Sequence, residues 1–177
     1  LIKGLLNTVY ILEDGKKRSL GSKENFLSLG YKWKNIVEVS NAELAFYPDA
    51  VVISSTTTHP NGSLVKTADS KTTYLIDQER KRHLRSAAVF LSHGFRWEDV
   101  LVISKSEMES YLLGVKVNFA EGTLPKGFAK TIYLVSGGKK RPFASARTYL
   151  DLGFRWDQYI QVSEALLDTL PLGEIVW

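Results

Sequence analysis

A chain of 177 residues, 44% hydrophobic, 11% aromatic and 24% charged, has the apolar material of a globular protein and too many aromatic residues for a disordered one. It has no cysteine, which excludes disulfides and thiolate metal sites, and no apolar run of the roughly eighteen residues a membrane helix requires. A net charge of +4 gives mild attraction to anionic polymers but is too small and too dispersed to mark a nucleic-acid binder.

The elements are best read in register, because the chain repeats itself. Three 41-residue stretches, 10–50, 74–114 and 133–173, align without a gap. Each copy has a lysine-bearing extended lead-in (Lys3, Lys66, Lys126), then a β-rich stretch containing Tyr10, Tyr74 or Tyr133. Asp14-Gly15 and Gly137-Gly138 supply the positive φ of a tight hairpin; the middle copy has Gln78-Glu79, which predicts a looser or longer turn. The return strand carries a basic triplet (16–18, 80–82, 139–141) and an apolar residue, Leu20, Leu84 or Phe143. The period then becomes helical. Ser22, Ser86 and Ser145 stand at the N-cap and Gly30, Gly94 and Gly153 at the stop.

After the glycine comes aromatic, basic, tryptophan, ending in Trp33, Trp97 or Trp156, and then a short strand. A second serine-capped helix follows, with capping boxes at Ser40/Glu43 and Ser104/Glu107; Leu166 replaces the glutamate in the third copy. Separators cover 51–63, including a hydroxyl-rich loop at 54–63, and 115–123. The predicted organisation is α+β: three tandem modules, each a short antiparallel sheet with two short helices. Their bounds are 1–53 for the first module, 54–117 for linker and second, and 118–177 for linker and third. A unit of this size buries only about 60% of its unfolded surface, so neighbours should support one another.

The search for catalytic residues finds no recurring set. His59, His83 and His93 fall at unrelated positions of the copies and read as surface residues. There is no phosphate loop, HExxH or calcium loop, and no carboxylate pair recurs, so neither an enzyme nor a bound metal or cofactor is expected. Two sets remain as ligand-binding candidates. Trp33, Trp97 and Trp156 could close the core or present an indole face to a sugar. In the triplets, strand alternation places Arg18, Arg82 and Arg141 on the core side with the apolar residue, in a structural role. It turns Lys17, Lys81 and Lys140 the other way, where they could grip an anionic polymer. Tyr10, Tyr74 and Tyr133, with the three stop glycines, read as structural.

The pattern Leu-x-Lys, Tyr-Leu-Ile, Gly-Lys-Lys-Arg, Ser-x-x-x-Phe-Leu-x-x-Gly-Phe-Arg-Trp and Val-Ser-x-x-Glu-Leu resembles a tandem repeat of bacterial secreted and cell-surface proteins. That resemblance covers essentially the whole chain. It implies a location outside the cell, on a longer protein with further domains, and it supplies no ligand residues. The expected function is therefore a non-catalytic segment for envelope attachment or polysaccharide binding, with cell-wall polysaccharide as partner. The alternatives are a spacer or self-association array without ligand, and a weak binder of nucleic acid or another anionic polymer.

Overall fold

The computed structural model describes residues 1–53 and 58–177; residues 54–57 of the expected hydroxyl-rich loop lie outside it. In chain order the elements are β1 (Ile2–Lys3), β2 (Val9–Glu13), β3 (Lys16–Ser19), α1 (Lys23–Ser28), β4 (Val37–Glu38) and α2 (Asn41–Ala45). There follow β5 (Leu64–Thr67), β6 (Tyr74–Asp77), β7 (Arg80–His83), α3 (Ala87–Ser92), β8 (Leu101–Ile103), α4 (Lys105–Ser110) and β9 (Leu112–Leu113). The last are β10 (Pro125–Lys126), β11 (Tyr133–Ser136), β12 (Lys139–Pro142), α5 (Ala146–Asp151), β13 (Ile160–Gln161) and α6 (Glu164–Leu167). The protein is a mixed α+β chain with several small sheets and short helices.

The sheets are mixed, where a purely antiparallel arrangement was expected. In the order β3-β2-β1-β4, the hairpin and lead-in pair antiparallel but β4 runs parallel to β1, with Ile2 opposite Val37. β8 is likewise parallel to β5, and β13 to β10. The reason is the connection: a helix intervenes before the last strand, and a crossover of that kind returns the chain in its original direction.

All three hairpins have two-residue turns. Gln78 and Glu79 adopt φ of 49° and 59°, as Asp14-Gly15 and Gly137-Gly138 do, so the middle turn is neither looser nor longer. The Asn61 side chain accepts from the Gln78 N–H at 2.6 Å and helps hold that left-handed backbone.

The helices α1 and α5 end by one mechanism. Gly30 and Gly153 have φ of +73° and +83°, and their N–H groups bond Leu27 and Leu150 carbonyls at 2.9 Å. The next N–H, of Tyr31 or Phe154, reaches back to Phe26 or Tyr149. This is a Schellman termination, which seats the residue after the glycine on the third residue from the helix end. The aromatic ring following each glycine therefore rests on a buried aromatic one: Tyr31 on Phe26, Phe95 on Phe90, Phe154 on Tyr149.

Contacts divide the chain into two compact units, Leu1–Arg82 with Val100–Gly114, and His83–Asp99 with Val115–Trp177. In the first, one core gathers Val9, Ile11, Leu20, Phe26, Leu29 and Ile53, and a second gathers Val65, Ile76, Leu101, Ile103, Met108 and Tyr111; Tyr31 packs on both. In the second unit, Leu124, Ile132 and Tyr149 form a core with Phe143 and Phe154 against it. Residues read as the start of the separators are structural. Ile53 bonds the Ser19 carbonyl and Val117 that of His83, and both side chains are buried.

Candidate functional site

The tryptophans take an intermediate position between core and surface. Each follows the Schellman aromatic by two residues, and the chain turns there, as a 3-10 turn at Trp33–Asn35 and Trp97–Asp99. That turn lays the indole face to face on the same buried ring. Trp33 stacks on Phe26 with centroids 3.9 Å apart, Trp97 on Phe90 at 3.8 Å, and Trp156 on Tyr149 at 4.7 Å. The rings beneath are only 1% exposed, yet the tryptophans are 49%, 52% and 50% exposed. One face of each indole completes the core and the other is open.

In the first unit Trp33 and Phe26 line a groove of about 550 Å³, with Thr8 and Ser22 supplying hydroxyls and Lys3 and Lys23 ammonium groups. In the second unit Trp156 and Tyr149 line a groove of about 170 Å³ with Thr131, Ser145 and Lys130. Ser22 and Ser145 are also the N-caps of α1 and α5, accepting from the Asn25 and Thr148 N–H groups.

The lysine set lies elsewhere. In the first hairpin Arg18 is opposite buried Ile11, and Lys17 opposite half-exposed Leu12, as alternation requires. The face that Lys17 occupies is nevertheless covered. Its Nζ donates to the Tyr47 carbonyl at 2.6 Å and pairs with Asp49 at 3.2 Å, leaving the side chain 12% exposed. Lys81 Nζ donates to the Met108 carbonyl of α4 at 2.6 Å. Lys140 Nζ donates to the Leu167 carbonyl of α6 at 3.2 Å and pairs with Asp168 at 2.9 Å. These ammonium groups satisfy carbonyls in or just beyond the second helix of their copy, groups that a helix end leaves without partners. The Lys140 ammonium also stands over the Tyr133 ring, 5.7 Å from its centroid.

Arg18 is bound to Glu13 and donates to the Val51 carbonyl, Arg82 pairs with Asp77 at 2.8 Å, and Arg141 donates to the Glu174 carbonyl at 3.0 Å. Where the first two copies have an acid on the facing strand, the third has Ser136.

His59 corrects the sequence reading, which placed it at the surface. It is buried: Nδ1 meets the Glu107 carboxylate, Nε2 lies 2.9 Å from the Leu29 carbonyl, and its backbone N–H donates to Tyr111 Oη. Tyr111 Oη in turn donates to Glu107 at 2.8 Å. Glu107, expected to close a capping box, is thus used by this cluster, although Ser104 still caps its N–H. With both ring nitrogens engaged by the protein, His59 has no free nitrogen to take a substrate proton. Its burial was legible in the repeat: counted back five residues from Leu64 and Leu124, His59 aligns with apolar Phe119. Burial also pushes the Tyr31 hydroxyl, which bonds the Ser63 side chain, up to about 12. Among the described residues no three His, Cys, Asp or Glu side chains form a group that could hold a metal, and no helix is long and apolar enough to cross a membrane.

No protein-family model matches the chain. Protein CgeD of Bacillus subtilis (strain 168) is 28% identical over 125 residues, covering 71% of this chain; the chain spans only 28% of that relative's length. Two solved structures, the periplasmic assembly of the ESX-5 inner membrane complex and the intact complex, align over 97% of the chain at 12% identity. The alignments cover 58% and 51% of those chains, and both have a TM-score of 0.27, a level that carries no structural argument.

Proposed function

We propose that the chain is a tandem-repeat, non-catalytic segment of a bacterial extracellular protein whose tryptophan grooves bind envelope polysaccharide. The observation that carries this reading is the half-open indole. A flat apolar face, fixed from behind by a buried ring and flanked by hydroxyls, is what a pyranose needs for stacking with hydrogen bonds at its edge. A tryptophan that served only to close the core would bury both faces. The location outside the cell rests on the repeat resemblance.

The alternative grip, through Lys17, Lys81 and Lys140, is disfavoured because those ammonium groups are already spent on protein carbonyls. A row of cations for nucleic acid would need them in solvent. A spacer without ligand is the competing reading.

Co-sedimentation with insoluble peptidoglycan, run beside a salt series on DNA-cellulose, tests the proposal. The chain should sediment with the glycan and leave the DNA at low salt, and Trp33→Ala with Trp156→Ala should abolish sedimentation. Failure to bind peptidoglycan or any other insoluble polysaccharide would leave the spacer.

A further inference from the structure

We infer that the tryptophan grooves select anionic sugars, those carrying a carboxylate or phosphate on the ring; this rests on the polysaccharide reading above. The argument is the sign of the groups beside each indole. The groove at Trp33 is lined by Lys3 and Lys23 and by no carboxylate; the groove at Trp156 is lined by Lys130 and by no carboxylate.

Lys3 is compensated by Glu38 at 2.8 Å, which leaves Lys23 as the working cation of the first groove. Lys23 and Lys130 are exposed; Lys23 attracts the neighbouring Glu24 carboxylate without a salt bridge to it, and Lys130 has no ion pair among the described residues. They come from different places in the copy: Lys23 is the first residue of α1, where the other copies have Ala87 and Ala146, and Lys130 stands three residues before Tyr133, where the second copy has Lys71. Each puts one exposed ammonium, outside any salt bridge among the described residues, on the lip of a tryptophan groove.

The Ser22 hydroxyl adds nothing to the preference, because its oxygen accepts the Asn25 N–H and the hydroxyl is hydrogen-bonded to the Glu24 carboxylate. The lysines carry it alone. A pyranose stacked on the indole would place its acidic substituent against the ammonium, and a charge-assisted bond is worth more than its neutral counterpart.

The test compares each acidic polymer with its own neutral form, using tryptophan fluorescence of the full chain as readout. The pairs are polygalacturonate against its carboxyl-reduced product, and phosphomannan against dephosphorylated mannan. We expect at least one acidic form to bind about tenfold more tightly than its neutral partner, the discrimination of one hydrogen bond to a charged group. The pair that discriminates identifies carboxylate or phosphate. Lys23→Gln with Lys130→Gln should remove that advantage, bringing the affinity for the acidic form down to that for its neutral partner. Lys16→Gln with Lys139→Gln removes the same charge from exposed hairpin positions and should retain it.

Equal affinity for acidic and neutral forms overturns the inference while the polysaccharide reading stands. An equal loss in both lysine pairs also overturns it, because general attraction would then explain the preference. No binding of any of the four polymers would remove the inference and count against the reading beneath it.

Discussion

Within one copy, the tryptophan and the middle lysine of the basic triplet have exchanged the environments their chemistry favours. Trp156 keeps half its surface in water, while Lys140 on β12 has a side chain only 13% exposed. The lysine is closed in because the second helix of its copy covers that face and offers carbonyls that need donors. The tryptophan stays open because a buried ring already fills the core beneath it, so the indole can add only one face. Residue type sets what a side chain costs to bury, and the neighbouring element decides whether it is buried.

The largest expected effect tests which ring carries the core. Phe90→Ala should cost about 3–5 kcal/mol, the loss for a fully buried aromatic, and Trp97→Ala about half as much, since half its surface never leaves water. Urea unfolding of the two variants measures both; equal losses would mean that the indole is as much a core residue as the phenylalanine.

The lysines come next. Lys17→Gln, Lys81→Gln and Lys140→Gln should each destabilise the chain by about 1–2 kcal/mol, because each removes a charged donor from a carbonyl. Asp49→Asn and Asp168→Asn should cost little, as those carboxylates are largely exposed. Melting temperatures unchanged in the lysine variants would return these side chains to the surface and reopen the anionic-polymer grip.

The smallest effect is a loss of stability confined to alkaline pH. An acid whose folded pKa is raised holds its proton more tightly folded than unfolded, so its stabilisation is complete below the unfolded value and falls as pH rises through the folded one. For Tyr31 that window runs from the ordinary 10 to about 12. Stability of the wild type should fall across it, and Tyr31→Phe should flatten the slope without altering stability near pH 7 by more than its lost Ser63 bond.

Much of the local structure was legible because capping and turn chemistry act over a few residues. All six expected serine caps form: Ser22, Ser40, Ser86, Ser104, Ser145 and Ser163 each accept an N–H three residues on. The stop glycines take positive φ for the same local reason. The middle turn escaped because Gln and Glu rarely adopt that conformation, and here Asn61, distant in sequence, bonds the Gln78 N–H. For the tryptophan grooves, sequence supplied the indoles and their recurrence, but not the exposure that separates a core ring from a platform.

By itself, then, the sequence determined the α+β character, the helix ends and the strand faces, because periodicity and backbone hydrogen bonding are properties of neighbouring residues. Only the tertiary structure decided that β4 would run parallel to β1, that the His59 ring would meet Glu107 and the Leu29 carbonyl, and that the lysine face would be covered while the indole face stayed open. Each of these depends on which element packs against which, and burial is a property of the pair rather than of the residue.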